Sequence, residues 1–503
     1  MASVAIQFLE KLPFHHLALL AILSFIIILY KRIYTTTVTT SKNPKLPSPP
    51  KLPIIGNFHQ LGTLPHRSLR SFSKRYGDLM LLHLGSKPTL VVSSANGAEE
   101  IMKTHDIVFA NRPYSKIAAL VVYDGKDIAF SKYGEYWRKL KSFCVLHMLS
   151  NKKVRSFRKI RNEEVELMIE NVKKSTPNSR LNLSDSITKM ASDVVFRVAF
   201  GRKYEEEKVG ILLSEFIEAL GSFTIGNFIP WLSWIDEFSG VLRKARKVSG
   251  LLNSFIGKRI EERVNGSGSE GKEGDKTRDF IDILLEVQRN DSSFDMYTVK
   301  AVLVDMVAGG IETITTLLEW TMSELLMHPL VMKKLQEEVR GFVKGKNIID
   351  ENDLKDMKYL KAVIKEGLRL HPPLPFLAFR EPSQDVRVQN YDITGGTHVI
   401  INAWAIQRHP SYWEEPEEFR PERFLNCSAL EFKFIPFGAG RRSCPGNVFA
   451  TVEAELALAN LVGLFNWELP GEVNLDSFMA ERFGTSLRRR DPLVAIPTPY
   501  SNM

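Results

Sequence analysis

The stretch FGAGRRSCPG, residues 437–446, holds one cysteine, Cys444, with three glycines and two arginines, and puts Pro445 directly after it. Behind it Val448, Phe449, Val452, Leu456, Ala459 and Val462 recur at three- and four-residue steps, which predicts a long buried helix starting at Pro445. Proline suits a first helical turn, where its missing N–H has no partner to lose. Cys444 then falls at the helix cap, where free amides and the positive end of the dipole favour a thiolate. The glycines permit a tight loop and close approach of backbone to a flat ligand, and Arg441 and Arg442 can meet carboxylates. The stretch presents an anionic sulfur to something positive.

Zinc asks for paired Cys or His at short spacing, and neither Cys144 nor Cys427 has such a partner. Zinc and iron–sulfur clusters are therefore disfavoured. A nucleophilic cysteine wants a positioned histidine, and none of the eleven is nominated by a local pattern. A buried structural cysteine is the plain alternative. It explains neither the arginines nor the glycines.

Phe437, Gly440, Arg442, Cys444 and Gly446 match the signature F-x-x-G-x-R-x-C-x-G, and here the chain resembles the cytochrome P450 family of haem-thiolate monooxygenases. Other stretches agree. In KEGLRLHPP, residues 365–373, Glu366 and Arg369 lie three apart on one helix face, which by itself reads as a solvated ion pair. It resembles the family's E-x-x-R, with Arg423 of FRPERF as the third member, so the resemblance implies a structural lock of one acid between two guanidiniums. VDMVAGGIETITTLLEW, residues 304–320, reads as a long helix despite two central glycines, each costing about 1 kcal/mol relative to alanine. Close helix packing is one reason for them. The resemblance supplies another, a groove for dioxygen at Gly309 and Gly310, with Thr313 as the alcohol beside it and Glu312 as the acid that relays protons. YGEYWRKLKSF, residues 133–143, resembles the family's W-x-x-x-R helix, with Trp137 in place and Lys141 where arginine is usual, a point charge without the bidentate fork. The haem cradle so implied is Phe437, Trp137, Lys141, Arg380 and Arg442, with Cys444 as axial ligand to the iron of haem b.

The chain has 503 residues, 44% hydrophobic and 25% charged, enough for a large core. Helical spacing at 165–174 and 330–343, with a strand pair at 79–85 and 89–94 separated by Lys87-Pro88, gives a mainly α class with minor β, the cytochrome P450 fold. Residues 12–30 carry no charge with neutral histidines and are close to the ~20 needed to cross a bilayer. Lys31 and Arg32 follow at once, which favours an uncleaved anchor with the body on the cytoplasmic side over a cleaved signal peptide. The expected organisation is a signal anchor at 1–32, a basic and proline-rich hinge at 33–57 and a catalytic domain at 58–503. Residues 265–277 are too polar and glycine-rich to pack. Few cysteines and no disulfide framework agree with a cytosolic body, leaving the glycosylation-type triplets at Asn182, Asn265 and Asn426 unused.

Net charge is +9, but the basic residues are scattered and no nucleic-acid motif accompanies them. A positive surface suits an anionic membrane and an acidic electron donor, which the resemblance identifies as NADPH–cytochrome reductase at the endoplasmic reticulum. The pattern resembles the plant A-type group, family 71, whose members oxidise hydrophobic specialised metabolites such as terpenoids, coumarins and other phenolics, or alkaloids. By family position the pocket is expected to include Val121, Phe223, Gly309, Ile311, Phe376, Leu377 and Thr485. Two other classes stay open: a haem-thiolate isomerase or dehydratase that needs neither dioxygen nor reductase, and a non-catalytic haem-binding membrane protein.

Overall fold

The structure is a computed structural model that describes residue 24 and residues 44–500, apart from 176–178, 205–206, 267–277, 344–345, 426–429 and 472–473. The predicted anchor apart from residue 24, the first part of the predicted hinge and most of the polar stretch at 265–277 lie outside the described residues.

Strands β1 (Leu79–Leu84) and β2 (Lys87–Val92) pair antiparallel, as expected. The separator is different. Lys87 and Pro88 belong to β2, and the turn is Gly85–Ser86, with Gly85 at φ +61° and no room for a Cβ, which would sit 2.6 Å from Ile229. Proline is tolerated there because the parallel pairing of β2 with β3 (His398–Ile401) begins only at Thr89. The proline-rich stretch runs along β1: the Leu81 N–H donates to Pro47 O at 2.9 Å, and the His83 N–H to Asn57 Oδ1 at 2.8 Å.

Around this small sheet stands a helical body. Its main members are α1 (Glu135–Phe143), α2 (Arg158–Lys174), α3 (Leu183–Phe200), α4 (Glu207–Gly221), α5 (Val241–Val264), α6 (Met296–Met327), α7 (Pro329–Val343), α8 (Lys358–Leu370) and α9 (Asn447–Leu464). The predicted helical stretches fall in α2, α6 and α7. Asn182 is put to local use, its side chain accepting from the Asp185 N–H to cap α3. Helices α6 and α9 are apolar enough to cross a membrane, yet both lie mostly inside the protein and pack on one another. They are core helices. A last hairpin, β4 (Glu481–Phe483) and β5 (Leu487–Arg489), lies against α6.

Glu366 on α8 is completely buried and sits between the two expected guanidiniums. Its Oε2 accepts from Arg369 Nε at 2.7 Å, and its Oε1 accepts from Arg369 Nη2 at 2.8 Å and Arg423 Nε at 3.0 Å. Arg369 further donates to the carbonyls of Gln407, Pro416 and Glu418, so no donor or acceptor of this ion cluster is wasted. The cluster ties α8 to the loop that leads into residues 437–446.

Candidate active site

The loop before α9 is shaped by two glycines in the left-handed region, Gly438 at φ +65° and Gly440 at φ +69°. A Cβ on Gly440 would stand 2.2 Å from Met102 O, so the loop closes only with glycine there. The Cys444 N–H donates to Phe437 O at 2.9 Å, which turns the thiol out of the loop. Helix α9 starts at Asn447, not at Pro445, because Pro445 and Gly446 form a turn and Gly446 is the residue that caps the helix. Burial pushes the Cys444 thiol above its ordinary value, while the Gly446 amide and Lys141 pull it back. The helix end and Lys141 thus do not offset the burial, and a positive ligand in the cavity would favour the thiolate further.

That ligand has space. Cys444 is exposed, and it lines a cavity of about 390 Å³. The same cavity is lined by Trp137, Lys141, Arg380, Phe437 and Arg442, and by Arg112, which no motif had pointed out. Arg442 donates to the carbonyls of Ala110, Ile128 and Ser131, and its guanidinium lies 4.0 Å from the centre of the Trp137 ring. Lys141 Nζ reaches Ser443 O at 2.5 Å, and Arg112 meets the carbonyls of Ala129, Ala378 and Phe379. Arg380 Nη2 donates to Ala439 O at 2.9 Å, but its buried Nη1 has no hydrogen-bond partner and stands 3.6 Å from Asp106.

These cations mostly meet carbonyls, and among the described residues Arg380 is the one that forms an ion pair, with Asp106. Burial lowers Lys141 to about 8 and Arg380 and Arg442 to about 10, and Arg112 falls well below its usual value by burial and by repulsion from Arg380 and Arg442. Asp127, which faces Arg442, is itself pushed up to about 6 by burial. A flat ligand carrying two carboxylates and a central metal fits this set: anions for the cations, metal for the thiolate.

Helix α6 forms another wall. Its central glycines do two different things. A Cβ on Gly310 would meet Val195 Cγ2 of α3 at 2.8 Å, so this glycine serves close packing, whereas a Cβ on Gly309 would meet nothing within 4 Å and would enter the cavity. The Thr313 hydroxyl donates to Gly309 O at 2.7 Å, keeping both groups at the cavity edge. Glu312 also borders the cavity, but its carboxylate is held by Ser486 and Arg488.

The family model described as cytochrome P450 matches residues 46–493. The chain is a cytochrome P450. It is 47% identical to norfluorocurarine oxidase of a Strychnos species, over 95% of this chain and 96% of that protein. To cytochrome P450 71A4 of Solanum melongena it is 46% identical, over 96% of this chain and 98% of the relative. A zebra fish cytochrome P450 solved with abiraterone superposes with a TM-score of 0.73 at 26% identity, covering 87% of this chain and all (100%) of that one. The protein is therefore a plant P450 monooxygenase, similar to members of family 71; the P450 family implies haem, a redox partner and hydrophobic substrates.

The substrate side of the P450 cavity departs from expectation. Gly309, Leu377 and Thr485 line it, as anticipated, but Val121, Phe223, Ile311 and Phe376 do not. Val121 and Ile311 point into the main hydrophobic core, one position away from residues that do line the cavity. Phe376 packs on Phe483 with ring centres 5.5 Å apart. Phe223 is half exposed and stacks on Phe228 and edge-on to Phe58, outside the cavity. The wall is instead supplied by Val122, by Phe216, Ile217 and Leu220 of α4, and by Leu374.

Proposed function

We propose that this P450 binds haem b with Cys444 as the axial ligand and oxidises a hydrophobic plant specialised metabolite, of the terpenoid, coumarin or other phenolic, or alkaloid kind. Haem, when bound, supplies the reductive activation of dioxygen and the transfer of one oxygen atom. Lys141, Arg112, Arg380 and Arg442 would hold the two propionates, Trp137 would brace Arg442 and Lys141 for that contact, and Phe437 would border the macrocycle. Gly309 keeps the cavity open beside α6, Thr313 would offer a hydroxyl there as a proton donor, and Glu312 would carry protons from the solvent side. The apolar wall from α4, Val122 and Leu377 excludes water and orients the substrate. Electrons come from NADPH through the membrane-bound reductase. Residues 1–32 anchor the chain in the endoplasmic reticulum membrane by a single pass, 33–57 are the hinge, and 58–503 form the catalytic domain on the cytosolic side.

One observation carries this reading: a cysteine lines the same cavity as Gly309 and Thr313, together with the four cations Arg112, Lys141, Arg380 and Arg442. The test is a carbon monoxide difference spectrum of the reduced full-length protein. A strongly red-shifted band is expected of the wild type and not of Cys444→Ala. The same band in both proteins refutes the ligand assignment.

A further inference from the structure

The cysteine loop is pressed against one short segment, residues 102–110. Met102 O faces Gly440 where a Cβ has no room, and Ala110 O accepts from Arg442 Nε at 2.7 Å. Between these two contacts Asp106 takes the Arg441 N–H, at 3.2 Å to Oδ1 and 3.0 Å to Oδ2. That amide belongs to the short turn Gly440–Arg442, and Ala439, the residue before the turn, offers it no side-chain acceptor. The same carboxylate meets two guanidiniums. Arg441 Nε lies 3.6 Å from Oδ2 and the buried Arg380 Nη1 3.6 Å from Oδ1, while Arg380 Nη2 donates to Ala439 O of the same loop at 2.9 Å. Asp106 itself does not line the cavity, and its side chain is 15% exposed.

We propose that Asp106 is a positioning residue that holds the cysteine loop closed through the Arg441 amide, and so fixes the direction in which Cys444 presents its sulfur. The inference rests on the proposed reading of Cys444 as the axial ligand. Gly438 and Gly440 give the loop conformational freedom that other residues would deny it, so its closed form depends on ties from outside. Two bonds bracket the three steps from Arg441 to Cys444: the Arg441 N–H to Asp106, and the Cys444 N–H to Phe437 O. A carboxylate suits the first tie because a hydrogen bond to an ionised acceptor is about twice as strong as a neutral one. Its charge is met by Arg380 and Arg441, so it adds no unpaired anion beside a thiolate. Without it the turn is free to rotate and the sulfur leaves its place in the cavity wall.

The experiment uses the full-length haem-loaded protein, reduced under carbon monoxide and held well below its melting temperature. The strongly red-shifted band reports a thiolate on the iron, and the rate at which it converts to the unshifted band reports loss of that thiolate. Asp106→Ala is expected to convert about tenfold faster than wild type, the size of one hydrogen bond to a charged acceptor at the low end of its range. Asp106→Asn should stay within about twofold of wild type, because its Oδ1 still accepts from the Arg441 N–H. Leu252→Ala, a core variant of α5, lowers the melting temperature without touching the loop and should convert at the wild-type rate. A wild-type rate in Asp106→Ala, an Asp106→Asn as fast as Asp106→Ala, or an equal acceleration in Leu252→Ala overturns the proposal. Should Asp106→Ala fail to fold, hydrogen exchange in the wild type decides: the Arg441 amide is expected to be protected at least about tenfold over an unstructured one, and an unprotected amide overturns the tie. The parent reading fails separately. A wild type without the red-shifted band refutes Cys444 as the ligand and the proposal with it, whereas a wild-type band together with an unaffected Asp106→Ala overturns only the role of Asp106.

Discussion

Replacing Gly309 and Gly310 by alanine, one at a time, should change stability in opposite directions. An alanine in a helix interior gains about 1 kcal/mol over glycine. At residue 309 nothing lies within 4 Å of the new methyl, so that gain stands. At residue 310 the methyl would lie 2.8 Å from Val195 Cγ2, well inside the roughly 3.5–4.0 Å of an ordinary carbon contact. Val195 is buried and β-branched, so it has little freedom to turn away, and overpacking of this kind costs about 1–3 kcal/mol. Set against the helix gain of about 1 kcal/mol, Gly310→Ala should be neutral to about 2 kcal/mol destabilising, and the two variants should differ by about 1–3 kcal/mol. Thermal melting of the haem-loaded proteins reads this directly, with Gly309→Ala above wild type and Gly310→Ala at or below it. Adding Val195→Ala should recover part of the loss in Gly310→Ala. Equal stabilisation by both alanines, or no recovery, refutes the assignment of Gly310 to packing and Gly309 to the cavity.

Thr313→Ala should raise the share of NADPH electrons that leave as peroxide, measured with the reductase present; an unchanged share removes the hydroxyl from the proton path. Glu366→Gln should weaken the buried ion cluster by about 3–5 kcal/mol and lower the yield of haem-loaded protein, because Arg369 and Arg423 lose their common anion. Glu453 on α9 is fully buried, neither carboxyl oxygen has a hydrogen-bond partner, and burial pushes it up to about 8 against the pull of Arg161. Its folded form therefore keeps a proton that the unfolded chain releases near pH 4.5, so stability falls as pH rises from there through about 8. Glu453→Gln should remove that fall, so the variant gains on wild type toward pH 8 in denaturant titrations, and parallel pH curves would refute the burial.

The parts of this P450 that were legible in its sequence are those whose residues act within one short segment. The cysteine loop needs its glycines and its following helix within ten residues, and the Glu366–Arg369 pair is set by a single helical turn. The mainly helical class follows from apolar periodicity alone. Boundaries were less secure: a proline after Cys444 was read as helical, whereas the turn it makes with Gly446 delays α9 to Asn447.

What the sequence left open concerns directions and partners. Neighbouring residues on a helix point about 100° apart, so a motif names Gly309, Gly310 and Ile311 together; both glycines border the cavity and Ile311 does not, and only packing against α3 decides that a side chain would have room at 309 and not at 310. The same rotation separates Val121, in the core, from Val122, on the cavity wall. Arg112 carries no local signal, because its role comes from carbonyls in three other stretches of chain. The motif names Glu312 as an acid, but not its partners Ser486 and Arg488, which lie more than 170 residues away. Local spacing determined the chemistry this protein carries; long-range contacts between helix, loop and hairpin decided which of its charged groups are held, which are short of partners and which face the substrate.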